Sequence, residues 1–261
     1  METGDGRGVI LLIHDLWFRP SVWAPWLREL DEAGYDAAVL RWSDGDQPSG
    51  LRPPAVGAGF NALLHAASKH IDALGSPPIV IGHGVGGVVA ERLLLDGDAT
   101  AAISLAPAPQ GYSAIPAAAR LFRRSTRLAL LSMQSSAVVP TFPQFRRAIA
   151  NVGSNADARR LYETQVTAAI PRHVLLGALH GRGPARSRQP RRGPLLLAVG
   201  GEDQLIREFS TALLHRNYRR GQPDAVTDYK VFPGLDHTFG LGTQSMAVLF
   251  YCLDWLTAQN M

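Results

Sequence analysis

An α/β fold with a mostly parallel sheet is predicted by three features of this 261-residue sequence. Short apolar runs of strand length alternate with segments of helical periodicity, the pattern of βαβ units. The runs are continuous rather than alternating with polar residues, as expected of strands buried on both faces. Apolar residues make up 46% of the chain, enough to bury a sizeable core at this length.

The first run, "GVILLIH", ends at His14 and Asp15. After Pro20 and Ser21, the spacing of Trp23, Trp26, Leu27 and Leu30 predicts a helix that stops before Gly34. "DAAVLRW" is a second strand, and Ala55–Leu74 carries Phe60, Leu63, Leu64, Ala67 and Ile71 on one helical face. "PIVIGH" returns to the sheet. The stretch "GHGVGG" at 82–87 then turns directly into the helix "VVAERLLLDG", which Gly97 ends, and "AAISLAP" is the next strand.

At Pro107 the alternation breaks. As far as residue 193 the sequence reads as helical pieces without a convincing strand: one after Pro116, one around Phe142–Asn151, one after Asn155 and one around Pro171–His180. "HGRGPARSRQPRRG" is a basic return linker. Alternation resumes with "PLLLAVGG", a helix near Leu205–Tyr218, the strand "DAVTDYKVF" and a helix over Met246–Leu256. The expected organisation is a core formed by residues 1–106 and 194–261, with a helical, Arg-rich lid over 107–193.

Between Pro107 and Arg192 there are fourteen Arg against two acids, Asp157 and Glu163, a local charge of +12; the rest of the chain has twelve basic and twenty acidic residues, or −8. The plainer reading of such a segment is a solvated arginine-rich surface; the functional one is a guide for an anionic or carrier-bound ligand or an acidic partner. Nucleic acid is not expected, since no recognition module or interleaved aromatics accompany the charge. The apolar runs are far shorter than the roughly 20 residues that span a bilayer, so no membrane span is expected. The start "METGDGRG" lacks the apolar stretch of a secretory signal, and the expected location is cytoplasmic. The single cysteine, Cys252, reads as a buried helix position. The eight His do not cluster with carboxylates at ligand spacing, so neither a metal nor another cofactor is expected.

Three loops stand at the carboxyl ends of predicted strands, where open α/β sheets bind ligands. They are "GHGVGG", "GGEDQLI" with Asp203, and "PGLDHTF" with His237. Nucleophile elbow, acid and histidine in that order resemble an α/β-hydrolase. "HDLWFRPSVWAPW", "LAPAPQGYSAIP", "GGEDQLI" and "TDYKVFPGLDHTFGLG" are similar to bacterial α/β-hydrolases labelled lysophospholipase or simply hydrolase. The resemblance implies that Asp203 is the acid and His237 the base, and that the backbone N–H groups of Val85 and Leu16 form an oxyanion hole. It also implies two departures. Gly84 stands where the family has its serine, so an acyl-enzyme has no oxygen or sulfur to form on. Asp15 stands where the oxyanion loop has a glycine, and a carboxylate there opposes developing negative charge.

Glycine at 84 relieves the backbone strain of the elbow, and it is expected to open a small space beneath a substrate. The reading that follows is an enzyme using the Asp203–His237 dyad as a general base, for elimination, cyclisation, isomerisation or water activation. Two alternatives stand beside it: a non-catalytic ligand-binding pseudo-hydrolase, and an ordinary ester or thioester hydrolase with an inactivated nucleophile. His14 and His83 are either pocket contacts or loop residues that hold strand ends. Trp17, with Phe18 and Trp23, suggests an apolar or aromatic small-molecule ligand, or else plain core.

Overall fold

A computed structural model of the chain describes residues 7–15, 17–41, 59–108, 137–166, 170–171, 191–240 and 245–261. All six expected core strands are present: β1 (Val9–Ile13), β2 (Asp36–Leu40), β3 (Ile79–His83), β4 (Ala101–Leu105), β7 (Leu195–Gly200) and β8 (Thr227–Phe232). They form one sheet in the order β2-β1-β3-β4-β7-β8, with every pairing parallel. The chain enters at β1, builds outward to β2, crosses back to β3 and then runs to β8. The order reverses beside β1, which is where such sheets open a crevice at their carboxyl ends.

Helices flank the sheet. A short 3₁₀ turn at Pro20–Trp23 leads into α1 (Ala24–Glu32), and α2 (Gly59–Leu74) and α3 (Val85–Asp96) follow. After the excursion between β4 and β7 come α6 (Glu208–Gly221) and α7 (Ser245–Ala258). α3 ends where the sequence predicts, with Gly97 in the left-handed conformation (φ 92°) and its N–H on the Leu93 carbonyl. α6 begins three residues later than its apolar pattern suggests. The reason is local: Asp203 Oδ1 accepts the N–H groups of Leu205 and Ile206 at 2.8 and 2.7 Å, holding them in a turn outside the helix.

β1, β3, β4 and β7 are buried almost along their whole length, and Trp23 and Trp26 pack edge to face against each other at 4.9 Å. Cys252 lies in this core on α7, and burial pushes its thiol up to about 12. No helix among the described residues is long and apolar enough to cross a membrane.

Between β4 and β7 the described chain contains α4 (Phe142–Ala148) and α5 (Asn155–Gln165), close to two of the expected helices. It also contains a two-residue antiparallel ladder, β5 (Ala137–Val138) against β6 (Ile170–Pro171), in a segment whose sequence reads as free of strands. A ladder this short carries too little periodicity to be seen in sequence. The helix expected after Pro116, residues 172–180 of the one expected around Pro171–His180, and most of the basic linker lie outside the described residues, while Pro171 itself pairs in β6 rather than opening a helix. Both of these helices are capped at their N-termini: Thr141 and Gln144 make a capping box on α4, and Ser154 Oγ accepts the Asp157 N–H on α5. The C-terminal end of α5 is tied to the loop after β1 by a bridge between Phe18 and Val166 and by the Arg19 N–H on the Gln165 carbonyl.

Arg192, counted in the cationic segment, is not a surface charge. It is 3% exposed, and its guanidinium reaches the carbonyls of Gly193 and Val226 and the hydroxyl of Thr227 while lying over the Tyr218 ring.

Candidate active site

Four loops converge at the carboxyl ends of β1, β3, β7 and β8, carrying Asp15, Gly84, Asp203 and His237. The structure brings Asp203 and His237 together. Asp203 Oδ2 lies 2.8 Å from His237 Nδ1, while its other oxygen is held by the Leu205 and Ile206 N–H groups. Both side chains are essentially sealed, the residues being 4% and 1% exposed.

Gly84 makes the elbow with φ 59° and ψ −117°, a conformation that strains any residue with a Cβ. The glycines beside it let α3 close down on the sheet, since a Cβ on Gly86 would run into the Ile13 carbonyl.

The space expected beneath Gly84 is not empty. The Asp15 carboxylate fills it: a Cβ built on Gly84 would overlap Asp15 Oδ1 and Cγ. Oδ1 also accepts the Val85 N–H at 2.8 Å, so the donor expected to serve an oxyanion is already occupied. Oδ2 faces His237 Nε2 at 3.6 Å, the distance of an ion pair rather than a hydrogen bond. Asp15 therefore fills the space that a side chain at 84 would need and takes the N–H expected to serve an oxyanion. It also sits at the positive N-terminal end of α3. Leu16, the other expected oxyanion donor, lies outside the described residues.

The electrostatics follow from this packing. Burial alone would lower the pKa of His237. Asp203 and Asp15, one at each ring nitrogen, outweigh it and hold the imidazole at about 10. Burial alone would raise Asp15. The facing His237 and the Val85 N–H bring it down to about 2 instead. Both shifts favour the charged forms, an imidazolium at His237 facing a carboxylate at Asp15.

His83 and His14 behave differently. Burial dominates at both and lowers each to about 4, so both rings are neutral. His83 gives its Nε2–H to the His237 carbonyl at 2.7 Å, and its ring lies against that of His237, tilted by 40° with centroids 4.9 Å apart. His14 gives its Nδ1–H to the Asp15 carbonyl at 2.8 Å. Both hold the loops that carry the charged residues. Trp17 is buried, and Phe18 packs against His83 and Phe145, which brings α4 directly over the elbow.

Beside this cluster, a cleft of ≈ 430 Å³ opens between Val22, Leu161 on α5, and Leu235, Asp236 and Thr238 on either side of His237. Among the described residues no group of His, Cys, Asp and Glu has an arrangement that could hold a metal ion.

The sequence reading took Asp15 only as a charge opposing an oxyanion. The signal that could have shown it filling the space at Gly84 is the coincidence of the two departures that the resemblance implies, at 84 and at 15. Glycine at 84 leaves the room that the Asp15 side chain fills.

A strand-ended elbow, an acid after β7 and a histidine after β8 on a parallel sheet define the α/β-hydrolase architecture. The model of the alpha/beta hydrolase family matches residues 10–249, and the chain belongs to that family. No curated protein matches it by sequence. Among solved structures it is similar to Rv0554 from Mycobacterium tuberculosis, at 16% identity and TM-score 0.71, over 98% of this chain and 92% of that one. It is also similar to a monoacylglycerol lipase from Paleococcus ferrophilus, at 18% identity and TM-score 0.68, over 97% and 95%. A third is the methylesterase MES16 from Arabidopsis, at 15% identity and TM-score 0.65, over 95% and 98%.

Proposed function

We propose that this chain is an α/β-hydrolase-fold enzyme that works by proton transfer without an acyl-serine, with Asp15 and His237 as the transferring pair and Asp203 orienting His237. The observation that carries the proposal is the Asp15 carboxylate in the nucleophile's space, bound to the Val85 N–H and facing His237 Nε2. Three buried ionisable groups are costly to keep together, and well-packed apolar residues would serve the fold at least as well. Such a cluster in a family of enzymes is a functional-site candidate on physical grounds.

While paired, Asp15 is a weak base and His237 a weak acid, because each stabilises the other's charged form. A neutral substrate entering between Oδ2 and Nε2 loosens that pairing. Asp15 then loses its facing cation and becomes a stronger base, while His237 loses one carboxylate and becomes a stronger acid. For a carbonyl compound, Asp15 takes the proton from the carbon beside the carbonyl and His237 gives its proton to the oxygen, forming an enol. Isomerisation, elimination or cyclisation can start from that step. The substrate class that best suits the surroundings is a small apolar or aromatic molecule, with an anionic or carrier-bound group favoured by the Arg-rich segment.

The test is carbon–hydrogen exchange. Aryl ketones, β-keto thioesters and lactones are incubated in D₂O with the wild-type protein and followed by NMR. The expected result is exchange that drops on the order of 10²-fold in both Asp15→Asn and His237→Gln, with no burst of p-nitrophenol from p-nitrophenyl acetate. Exchange indifferent to both variants, or such a burst, contradicts the proposal. A second reading, a non-catalytic binder, is favoured by the occupied Val85 N–H. Calorimetric binding of a panel compound with no exchange would select it.

A further inference from the structure

Each member of the dyad is preceded in sequence by a residue tied to the same two-residue turn. The turn is Asn151–Val152, between α4 and α5. Asn151 Nδ2 donates to the carbonyl of Glu202 at 2.8 Å, one residue before Asp203. The Val152 N–H donates to Asp236 Oδ2 at 2.8 Å, one residue before His237. Asp236 is buried, and its other oxygen accepts the N–H and hydroxyl of Thr238, so its carboxylate joins this turn to both sides of His237. The two catalytic loops are joined to each other as well, by the Glu202 N–H on the Leu235 carbonyl at 2.9 Å. The turn is braced in its own right: Arg146 on α4 donates to the carbonyls of Ala150 and Gly153, the residues immediately flanking it, at 2.6 and 3.0 Å.

We infer that the Arg146-braced Asn151–Val152 turn is a positioning device that holds Asp203 and His237 in register, so that the seating of the α4–α5 segment sets the geometry of the dyad. Arg146, Asn151 and Asp236 are its positioning residues. They act through the two loops and need not touch a substrate. Two bonds from one rigid turn fix the relative placement of two loops more firmly than either loop's own hydrogen bonds can, because a hydrogen-bonded ion pair is sensitive to displacements well under 1 Å. The inference concerns the dyad geometry and rests on the proposed function only for its importance to catalysis.

The experiment is therefore a titration that needs no substrate. Protein with ¹⁵N-labelled histidine is titrated by NMR, following the two ring nitrogens of His237, for wild type, Asn151→Ala, Arg146→Ala and the control Glu163→Ala. Glu163 pairs with Arg159 on the exposed side of α5, away from the turn. Both turn variants are expected to lower the His237 midpoint by about one pH unit or more. Glu163→Ala is expected to titrate as wild type does. Arg146→Ala keeps the test meaningful if Asn151→Ala folds poorly, since it touches neither catalytic loop. Midpoints unchanged in both turn variants overturn the inference. So does an equal shift in Glu163→Ala, which would mean that any loosening of the segment has the same effect. If the inference fails, the exchange assay of the proposed function is unaffected. If that assay fails, the titration still stands.

Discussion

At the scale of single residues, the decisive feature is one carboxylate. Asp15 occupies the position that a side chain at 84 would need, takes the Val85 N–H and faces His237. Stability should therefore depend on pH with a definite sign. His237 is raised from 6.5 to about 10 in the folded protein, so its contribution is fully present below pH 6.5 and is lost as pH rises through about 10. Asp15 is lowered from 3.8 to about 2, so its contribution is present above pH 3.8 and is lost as pH falls through about 2. Urea denaturation of the wild type is expected to show stability falling from pH 6.5 to 10, and His237→Gln is expected to make that slope shallower. A wild-type curve that is flat across this range would mean that the imidazole is not held as a cation.

At the scale of elements, a second buried polar cluster ties α3 to the sheet and to α6. Glu91 on α3 is 1% exposed and accepts from the Ser104 hydroxyl at 2.8 Å and the Tyr218 hydroxyl at 2.9 Å. Burial raises its pKa to about 7, against the lowering effect of those two donors and of nearby Arg192. Here the sign is set by a carboxyl that prefers to be neutral when folded. Its contribution is fully present below pH 4.5 and is lost as pH rises through about 7. Glu91→Gln keeps an acceptor for one of the two hydroxyls and presents an amide N–H to the oxygen of the other; it should abolish a loss on the order of 3 kcal/mol between pH 4 and 8, read from urea midpoints. An identical pH slope in the variant would assign the loss to other groups. Packing of α4 offers a separate test. Phe145 is fully buried against Phe18 and Tyr162, and Phe145→Ala is expected to cost about 3–5 kcal/mol. A cost below about 1 kcal/mol would mean that α4 is not seated on the elbow.

At the scale of the whole molecule, the strands and the order of the site were legible because they are written locally. Runs such as "VILLI" and "LLLAV" are continuous because parallel strands are buried on both faces, and Asp203 and His237 follow their strands within a few residues. What was not legible is long-range. Asp15 meets Val85 across 70 residues, Asn151 meets Glu202 across 51, and Glu91 meets Tyr218 across 127. No periodicity encodes such meetings, so Asp15 read as a nearby charge, and Arg192 as surface, until the fold was in view. The central claim is that Asp15 replaces the nucleophile sterically and electrostatically, leaving the rest of the hydrolase site in place. The most direct measurement compares Gly84→Ser with the double variant Gly84→Ser/Asp15→Gly in p-nitrophenyl ester hydrolysis, with His237→Ala added to each as control. The single variant is predicted to stay inactive, because its new side chain collides with Asp15. The double variant is predicted to gain His237-dependent turnover with an acyl-enzyme burst, on the order of 10²-fold or more above the single variant, as the freed Val85 N–H again serves an oxyanion. Full activity in Gly84→Ser alone would contradict the account, since Asp15 would then not occupy the nucleophile's place.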